Sequence, residues 1–361
     1  MALRVLIAGG GTGGHVIPAL AIADELRTHY QAEVRFVGTA RGFETKLVPQ
    51  AGYKLELIQV GQLKSVSLRT RVRTILDLPL GVRRSLQILD EFKPHVVVGV
   101  GGYASGPGMI AAILKRIPTL AFEPNAAPGL ANRLVGKRVS AAAVSFPPAT
   151  KYFRNAQVTG IPARKEFFAL SPRPVDAKPN LLVFGGSQGA RIFNTTMPKI
   201  AARLLAAVPE LTILHQAGAR QAEATLTAYQ ASQADPACWQ VQPFLEDMPK
   251  RFEAADLVLA RSGASTVAEL AAAGKPAVLV PFPQATDDHQ RKNAEVMAKE
   301  NAAVLILESN LSDEVLLETL TNLLTNKLNL TEMAKQAKNL ARHNAVADIA
   351  AMVANLAKGV T

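Results

Sequence analysis

The feature that most limits how this chain can fold is a three-part pattern that occurs twice. "RVLIAGGGTGGHVIPALAIADEL", Arg4 to Leu26, is an apolar run, a glycine loop and an amphipathic stretch, and "NLLVFGGSQGARIFNTTMPKIAARLL", Asn180 to Leu205, repeats it. Each reads as a buried strand, a tight turn and a helix. Strand-like runs then alternate with helical ones, as "VRFVG", "LELIQV", "HVVVGV", "PTLAF" and "AAAVSF" in the first half, and as "LTILHQ", "CWQVQPF", "DLVLA" and "PAVLVPF" in the second. That alternation belongs to the α/β class and predicts two doubly wound parallel sheets. Facing one another across a cleft, they would place both glycine loops there, at strand carboxyl ends. "GIPARKEFFALSPRPVDAKPN", Gly160 to Asn180, with four prolines and no long apolar run, reads as a linker. The expected domains are 1–163 and 164–343, with a final helix over 344–361 that lacks a strand partner and is expected to cross back to the first.

Helix amides and dipole behind a glycine loop favour an anion. Gly9, Gly11 and Gly14 satisfy G-x-G-x-x-G, but a dinucleotide site also needs an acidic residue about 20 positions on, at the end of the second strand. There the chain has Gly38, Thr39, Ala40 and Arg41, so NAD is disfavoured and Arg41 leaves only an NADP option. "GGSQG" is also a literal G-x-S-x-G, the nucleophile elbow of α/β-hydrolases. Ser187 is followed by Asp256 or Asp287 and by His289 or His343, the order such a triad requires. Against it, a complete α/β lobe precedes this loop's own strand. No Asp-x-Asp pair exists to clamp a divalent metal, and the single Cys238 excludes an internal disulfide or a multi-cysteine metal site.

With 361 residues, 48% of them apolar, the chain can fill two packed domains. "MALRVLIAGG" runs into a glycine loop and reads as a strand, not a signal peptide. No run approaches the ~18 apolar residues of a spanning helix, so a soluble or peripheral protein is expected. The net charge of +11 is uneven: residues 1–165 carry 22 Lys and Arg against 9 Asp and Glu, and the remainder 18 against 20. One half therefore meets something anionic. With 5% aromatics and no basic recognition helix, nucleic acid is not expected. Between Gln62 and Lys93, Lys64, Arg69, Arg71, Arg73, Arg83 and Arg84 interleave with leucine, valine and isoleucine, which suits an anionic membrane surface.

"GGGTGGH", "VGVGGYASGPG", "FEPNAAPGLANR", "VFGGSQGARIFN" and "RSGASTVAELAAAGKPAVLVPFP", in that order, resemble the bacterial peptidoglycan glycosyltransferases that make lipid II, in glycosyltransferase family 28. The resemblance implies a GT-B fold of two Rossmann-like domains and no metal or other cofactor in the site. It implies transfer of N-acetylglucosamine, with inversion, from UDP-N-acetylglucosamine to lipid I, the undecaprenyl-pyrophosphoryl-N-acetylmuramoyl-pentapeptide. The enzyme would work as a peripheral protein on the cytoplasmic side of the inner membrane.

Residue by residue, the resemblance places Ser187 and Gln188 on the donor phosphates, Glu269 on the ribose and Gln290 on the sugar. Leu245 would hold the uracil, and Arg164 would reach the donor, although its motif is altered at Ile161 and Ala163. Thr12, Gly13, Gly14 and Asn125 join the donor set, as do Ala264, Ser265, Thr266 and Val267 at a helix start. Tyr103 lines the acceptor side. A departing diphosphate gains charge, and preorganised loop amides stabilise it. Spacing alone also makes Thr266-x-x-Glu269 a capping box, in which Glu269 only satisfies backbone amides. The family's usual His and Gln are Phe122 and Pro124 here, while Glu123 is kept, which raises the importance of His15. An imidazole at a helix start is held neutral and suits a general base. Capping or phosphate contact are the alternatives for His15, and Glu123 is the rival base. A transferase or epimerase with a soluble substrate and a serine hydrolase using Ser187 remain the competing activities.

Overall fold

The computed structural model describes residues 2–59, 68–174 and 177–359. They form two compact units, one of Met1–Pro162 with Asn344–Thr361 and one of Ala163–His343. In chain order the first holds β1 (Arg4–Ala8), α1 (Gly13–Tyr30), β2 (Glu33–Gly38), α2 (Glu44–Gln50), β3 (Lys54–Leu57), α3 (Leu68–Phe92), β4 (Val96–Gly99), α4 (Ser105–Leu114), β5 (Thr119–Glu123), α5 (Leu130–Val135), β6 (Ala141–Val144) and β7 (Ala156–Val158). The second holds α6 (Lys165–Phe168), β8 (Asn180–Phe184), α7 (Arg191–Ala207), β9 (Thr212–Gln216), α8 (Ala222–Gln230), β10 (Trp239–Gln242), α9 (Met248–Ala254), β11 (Leu257–Ala260), α10 (Ala264–Ala273), β12 (Ala277–Leu279), α11 (His289–Lys299), β13 (Ala303–Leu305), α12 (Asp313–Thr325) and α13 (Lys327–Asn339). The chain then enters α14 (Ala345–Lys358), which belongs to the first unit.

Both sheets are parallel among the described residues, in the orders β3-β2-β1-β4-β5-β6-β7 and β10-β9-β8-β11-β12-β13. The inner strands β4, β6, β11 and β12 are apolar throughout because helices cover both faces, while β2, β3, β9 and β10 toward the edges carry polar residues. Val5, Ile7, Val96 and Val98 point into one core with Ile22 and Leu26 of α1. Leu6, Ala8 and Val97 point into the other, with Ile88 and Leu89 of α3 and Met109 of α4. Helix α14 adds Ile349, Ala350 and Val353 to the α1 side. In the second unit Leu181, Val183, Leu257 and Leu259 meet Phe193, Met197 and Ile200 of α7.

Every strand expected from the sequence is present. Two edge strands of three residues each, β7 and β13, give too short a pattern to be announced in advance. The segment read as a linker is packed from Lys165 onward. Phe167 is fully buried edge-to-face on Phe252, with ring centres 5.0 Å apart. Arg173 donates to Asp256 at 2.5 Å and to the Lys178 carbonyl at 2.9 Å. No helix among the described residues is long and apolar enough to cross a membrane.

Candidate active site

In each sheet the strand order turns outward from one pair, β1–β4 and β8–β11. The crevice beyond the carboxyl ends of such a pair is where doubly wound sheets bind ligands. In the first unit this puts the loop after β1 beside the loop after β4. Gly10 N donates to Gly101 O at 3.4 Å. A Cβ on Gly102, which sits at φ +79°, would lie 2.1 Å from Gly10 O, so only glycine allows the approach. Thr12 is the N-cap of α1, followed directly by Gly13 and Gly14, but its hydroxyl does not cap the helix. It stands 3.2 Å from Nδ1 of His15. When Nδ1–H donates to Thr12, the lone pair is on Nε2, the atom beside Gly101. Tyr103, on the same second loop, is 40% exposed.

Glu123, the second candidate base, is enclosed by N–H donors. It is buried at the end of β5, and its Oε1 accepts from Asn125 N at 2.9 Å and Asn125 Nδ2 at 3.2 Å. Its Oε2 accepts from Asn132 Nδ2 at 2.9 Å and Gly129 N at 3.2 Å. Both oxygens accept bonds that shape residues 124–129, so in this structure the carboxylate holds Asn125 in place. Burial pushes it up to about 7, against the pull of those N–H donors. Because its folded value lies above the ordinary 4.5, the stability it contributes is complete below that value and lost as pH rises through about 7. Between pH 5 and 8 the protein should lose up to about 3 kcal/mol relative to Glu123→Gln. Denaturant midpoints of the two proteins at both pH values check this, and parallel pH profiles would assign the dependence elsewhere.

In the second unit the expected donor residues all follow strand carboxyl ends. Ser187 and Gln188 are exposed on the loop after β8, and Leu245 is buried after β10. Ala264, Ser265, Thr266 and Val267 form the first turn of α10, after β11. Gln290 is the second residue of α11, after β12. Its Oε1 accepts from Phe282 N at 2.9 Å, and its carbonyl accepts from Ser262 Oγ at 2.8 Å. A cavity of about 560 Å³ joins Gly185 and Gly189 to Arg261, Gln290 and Glu308.

Arg164 and Glu269 are brought together although 105 positions apart. Nε and Nη2 of Arg164 donate to Glu269 Oε1 at 3.2 and 2.9 Å. Burial raises the Glu269 carboxyl, and Arg164 opposes that shift. The capping-box reading of Glu269 fails, since the N-cap is Gly263 and Glu269 lies well inside the helix. The nucleophile-elbow reading fails as well. An elbow strains its serine, whereas here the left-handed residues are Gly186 and Gly189, not Ser187. Asp256 precedes β11, at the opposite end of the sheet, and is taken by Arg173.

Sequence reasoning missed the groups that hold the second loop. Gly189, at φ +71°, packs on the Ala217 carbonyl, where a Cβ would come within 2.0 Å. Asn194 Nδ2 donates to that carbonyl at 2.9 Å, and Asn194 Oδ1 accepts from buried His215 Nε2 at 3.0 Å. Burial pushes His215 down to about 3, so it is neutral and structural. Arg261, nearly buried, donates to the Val280 and Pro281 carbonyls at 3.0 Å and pairs with Glu308 at 2.6 Å, which fixes the turn under Gln290. The signal for Arg261 was its place inside "RSGAS"; His215 and Asn194 carried none.

Two nucleotide-type crevices in one chain, each framed by glycine loops and helix starts, are the layout of GT-B transferases. Residues 5–144 match the N-terminal domain of glycosyltransferase family 28, and residues 180–351 match its C-terminal domain. The chain belongs to glycosyltransferase family 28. It is 44% identical over 94% of its length, and 94% of the relative's, to the UDP-N-acetylglucosamine–N-acetylmuramyl-(pentapeptide) pyrophosphoryl-undecaprenol N-acetylglucosamine transferase of Syntrophotalea carbinolica. The enzyme of the same name from a Geobacter species is 42% identical, covering 97% of this chain and 96% of that one. The crystal structure of MurG from Acinetobacter baumannii superposes with a TM-score of 0.82 at 33% identity, over 98% of this chain and 99% of that one.

Proposed function

We propose that this protein transfers N-acetylglucosamine from UDP-N-acetylglucosamine to lipid I, giving lipid II and UDP with inversion at the transferred carbon. The observation that carries the reading is the similarity to enzymes of that name along nearly the whole chain. The second unit holds the donor. Amides of the 185–189 loop and of the α10 start face the diphosphate, Glu269 takes the ribose, and Gln290 reads the sugar. The first unit supplies His15 Nε2, which takes the proton of the acceptor hydroxyl as that oxygen bonds to the sugar carbon. The carbon–oxygen bond to the phosphate breaks, and UDP leaves with the electron pair. Helix amides stabilise that charge without reorganising.

Association with the anionic cytoplasmic leaflet is part of the proposal. The acceptor's pyrophosphate is tethered to a prenyl chain, and the basic first unit presents Arg83 and Arg116 beside exposed Leu80 and Leu114, while Lys115 is paired with Asp90. Arg84 contributes less, since Glu56 and Glu91 stand 3.7 and 3.8 Å from it. Lys64 and the side chains of Arg69, Arg71 and Arg73 lie outside the described residues.

The test is whether release of UDP depends on the lipid-linked acceptor. Equal release without it would favour hydrolysis or a soluble-substrate reaction. Glu269→Ala should weaken UDP binding by about 1–3 kcal/mol, because ribose hydroxyls lose a partner in a half-buried site. Unchanged UDP affinity in calorimetry would leave Glu269 only its pairing with Arg164.

A further inference from the structure

The first glycine loop is already occupied by a charge of the protein's own. Glu44, the first residue of α2, is 1% exposed. Its Oε2 accepts from Gly11 N at 2.7 Å, and its Oε1 accepts from Thr39 N and Thr39 Oγ, both at 3.0 Å. Gly11 is gripped from its other side too, since Phe43 N donates to Gly11 O at 3.2 Å. Three glycines make room for the carboxylate. A Cβ would fall 2.3 Å from its carbon at Gly10, 2.6 Å from Cγ at Gly38 and 1.9 Å from Oε2 at Gly42.

A buried carboxylate is costly unless its oxygens accept charge-assisted bonds, and here they bind one loop to the end of β2. In a dinucleotide site the acidic group near this strand end reaches outward to a ribose, and the loop amides hold a phosphate. Here the acid is turned inward onto a loop amide. We infer that Glu44 is the positioning residue of the first glycine loop, an internal anion that takes the place of a nucleotide phosphate at Gly11 and sets the geometry from which Thr12 and His15 act. A donor diphosphate at the Gly11 amide would meet this carboxylate, which leaves the Thr12–Gly14 segment, and not Gly11, as the part of this loop that can face the donor. The inference rests on the proposed role of His15 as base.

Misplacing a catalytic group by about 1 Å costs up to about a hundredfold, so Glu44→Ala should lower kcat at least about tenfold. Its KM for UDP-N-acetylglucosamine should stay within about twofold, because the interaction lost is not with the donor. Glu44→Gln, which keeps an oxygen for Gly11 N, should retain an intermediate kcat. Gly42→Ala should also lower kcat, through its clash with the carboxylate, and should add nothing in the Glu44→Ala background. Wild-type kcat in Glu44→Ala, a donor KM that rises in step with the kcat loss, or additive losses in the double variant would overturn the inference. Amide hydrogen exchange decides the matter apart from activity: Gly11 and Thr39 should lose protection in Glu44→Ala and, less, in Glu44→Gln. Unchanged protection there refutes the role of Glu44, whereas absence of any sugar transfer by the wild type refutes the proposed function instead.

Discussion

His15→Ala is expected to lower turnover by about 10²–10⁴-fold while UDP affinity stays the same. The loss follows from removing the acceptor's proton carrier. The unchanged affinity follows from the position of Ser187, Leu245, Glu269 and Gln290, all in the other unit. Thr12→Val should lower turnover less, since it removes only the hydroxyl 3.2 Å from Nδ1 that sets the ring's tautomer. Single-turnover kinetics with calorimetric UDP titration separate the two quantities. Weakened UDP binding with turnover preserved would make His15 a phosphate contact, and a wild-type rate would remove it from the chemistry.

Replacing Arg69, Arg71, Arg73, Arg83 and Arg84 together by glutamine should release the protein from anionic vesicles. Each cation near such a surface contributes about 1 kcal/mol, so four effective charges amount to about a thousandfold in partitioning. Arg84 is discounted for its neighbouring carboxylates. Wild-type binding should itself fall as salt rises, because these charges are screened. Activity on a water-soluble, short-chain acceptor should survive, since none of the five belongs to the glycine loops. Sedimentation with vesicles at low and high salt measures the effect. Co-sedimentation of the variant at low salt would move the membrane face elsewhere on the first unit.

Much of the fold was legible because buried parallel strands are apolar along their whole length. "RVLIA" and "NLLVF" need helices on both faces, and the glycines after them place the turns. β7 and β13 escaped because three residues carry no period. The packing of Phe167 and Arg173 escaped because prolines mark where a chain turns, not what it lies against. Ser187, Gln188 and the start of α10 were singled out because loop chemistry is local, and Gln290 because of the resemblance. The pairing of Arg164 with Glu269 was not, since only the fold brings positions 164 and 269 together. Glu44 shows the same limit most clearly. It lies three residues past Arg41, beyond the strand end where a ribose-binding carboxylate would stand. A carboxylate that serves the loop itself looks, in sequence, like any exposed helix start.

The central claim is sugar transfer to a lipid, and the identity of the product tests it most directly. Incubated with UDP-N-acetylglucosamine and lipid-linked muramoyl-pentapeptide, the protein should yield a lipid enlarged by one N-acetylhexosamine residue, in amounts equal to the UDP released. Mass spectrometry of the lipid fraction reads the gain, and proton NMR of the new linkage should show inversion relative to the donor. An unmodified lipid accompanied by free N-acetylglucosamine or by an epimerised UDP-sugar would contradict the account.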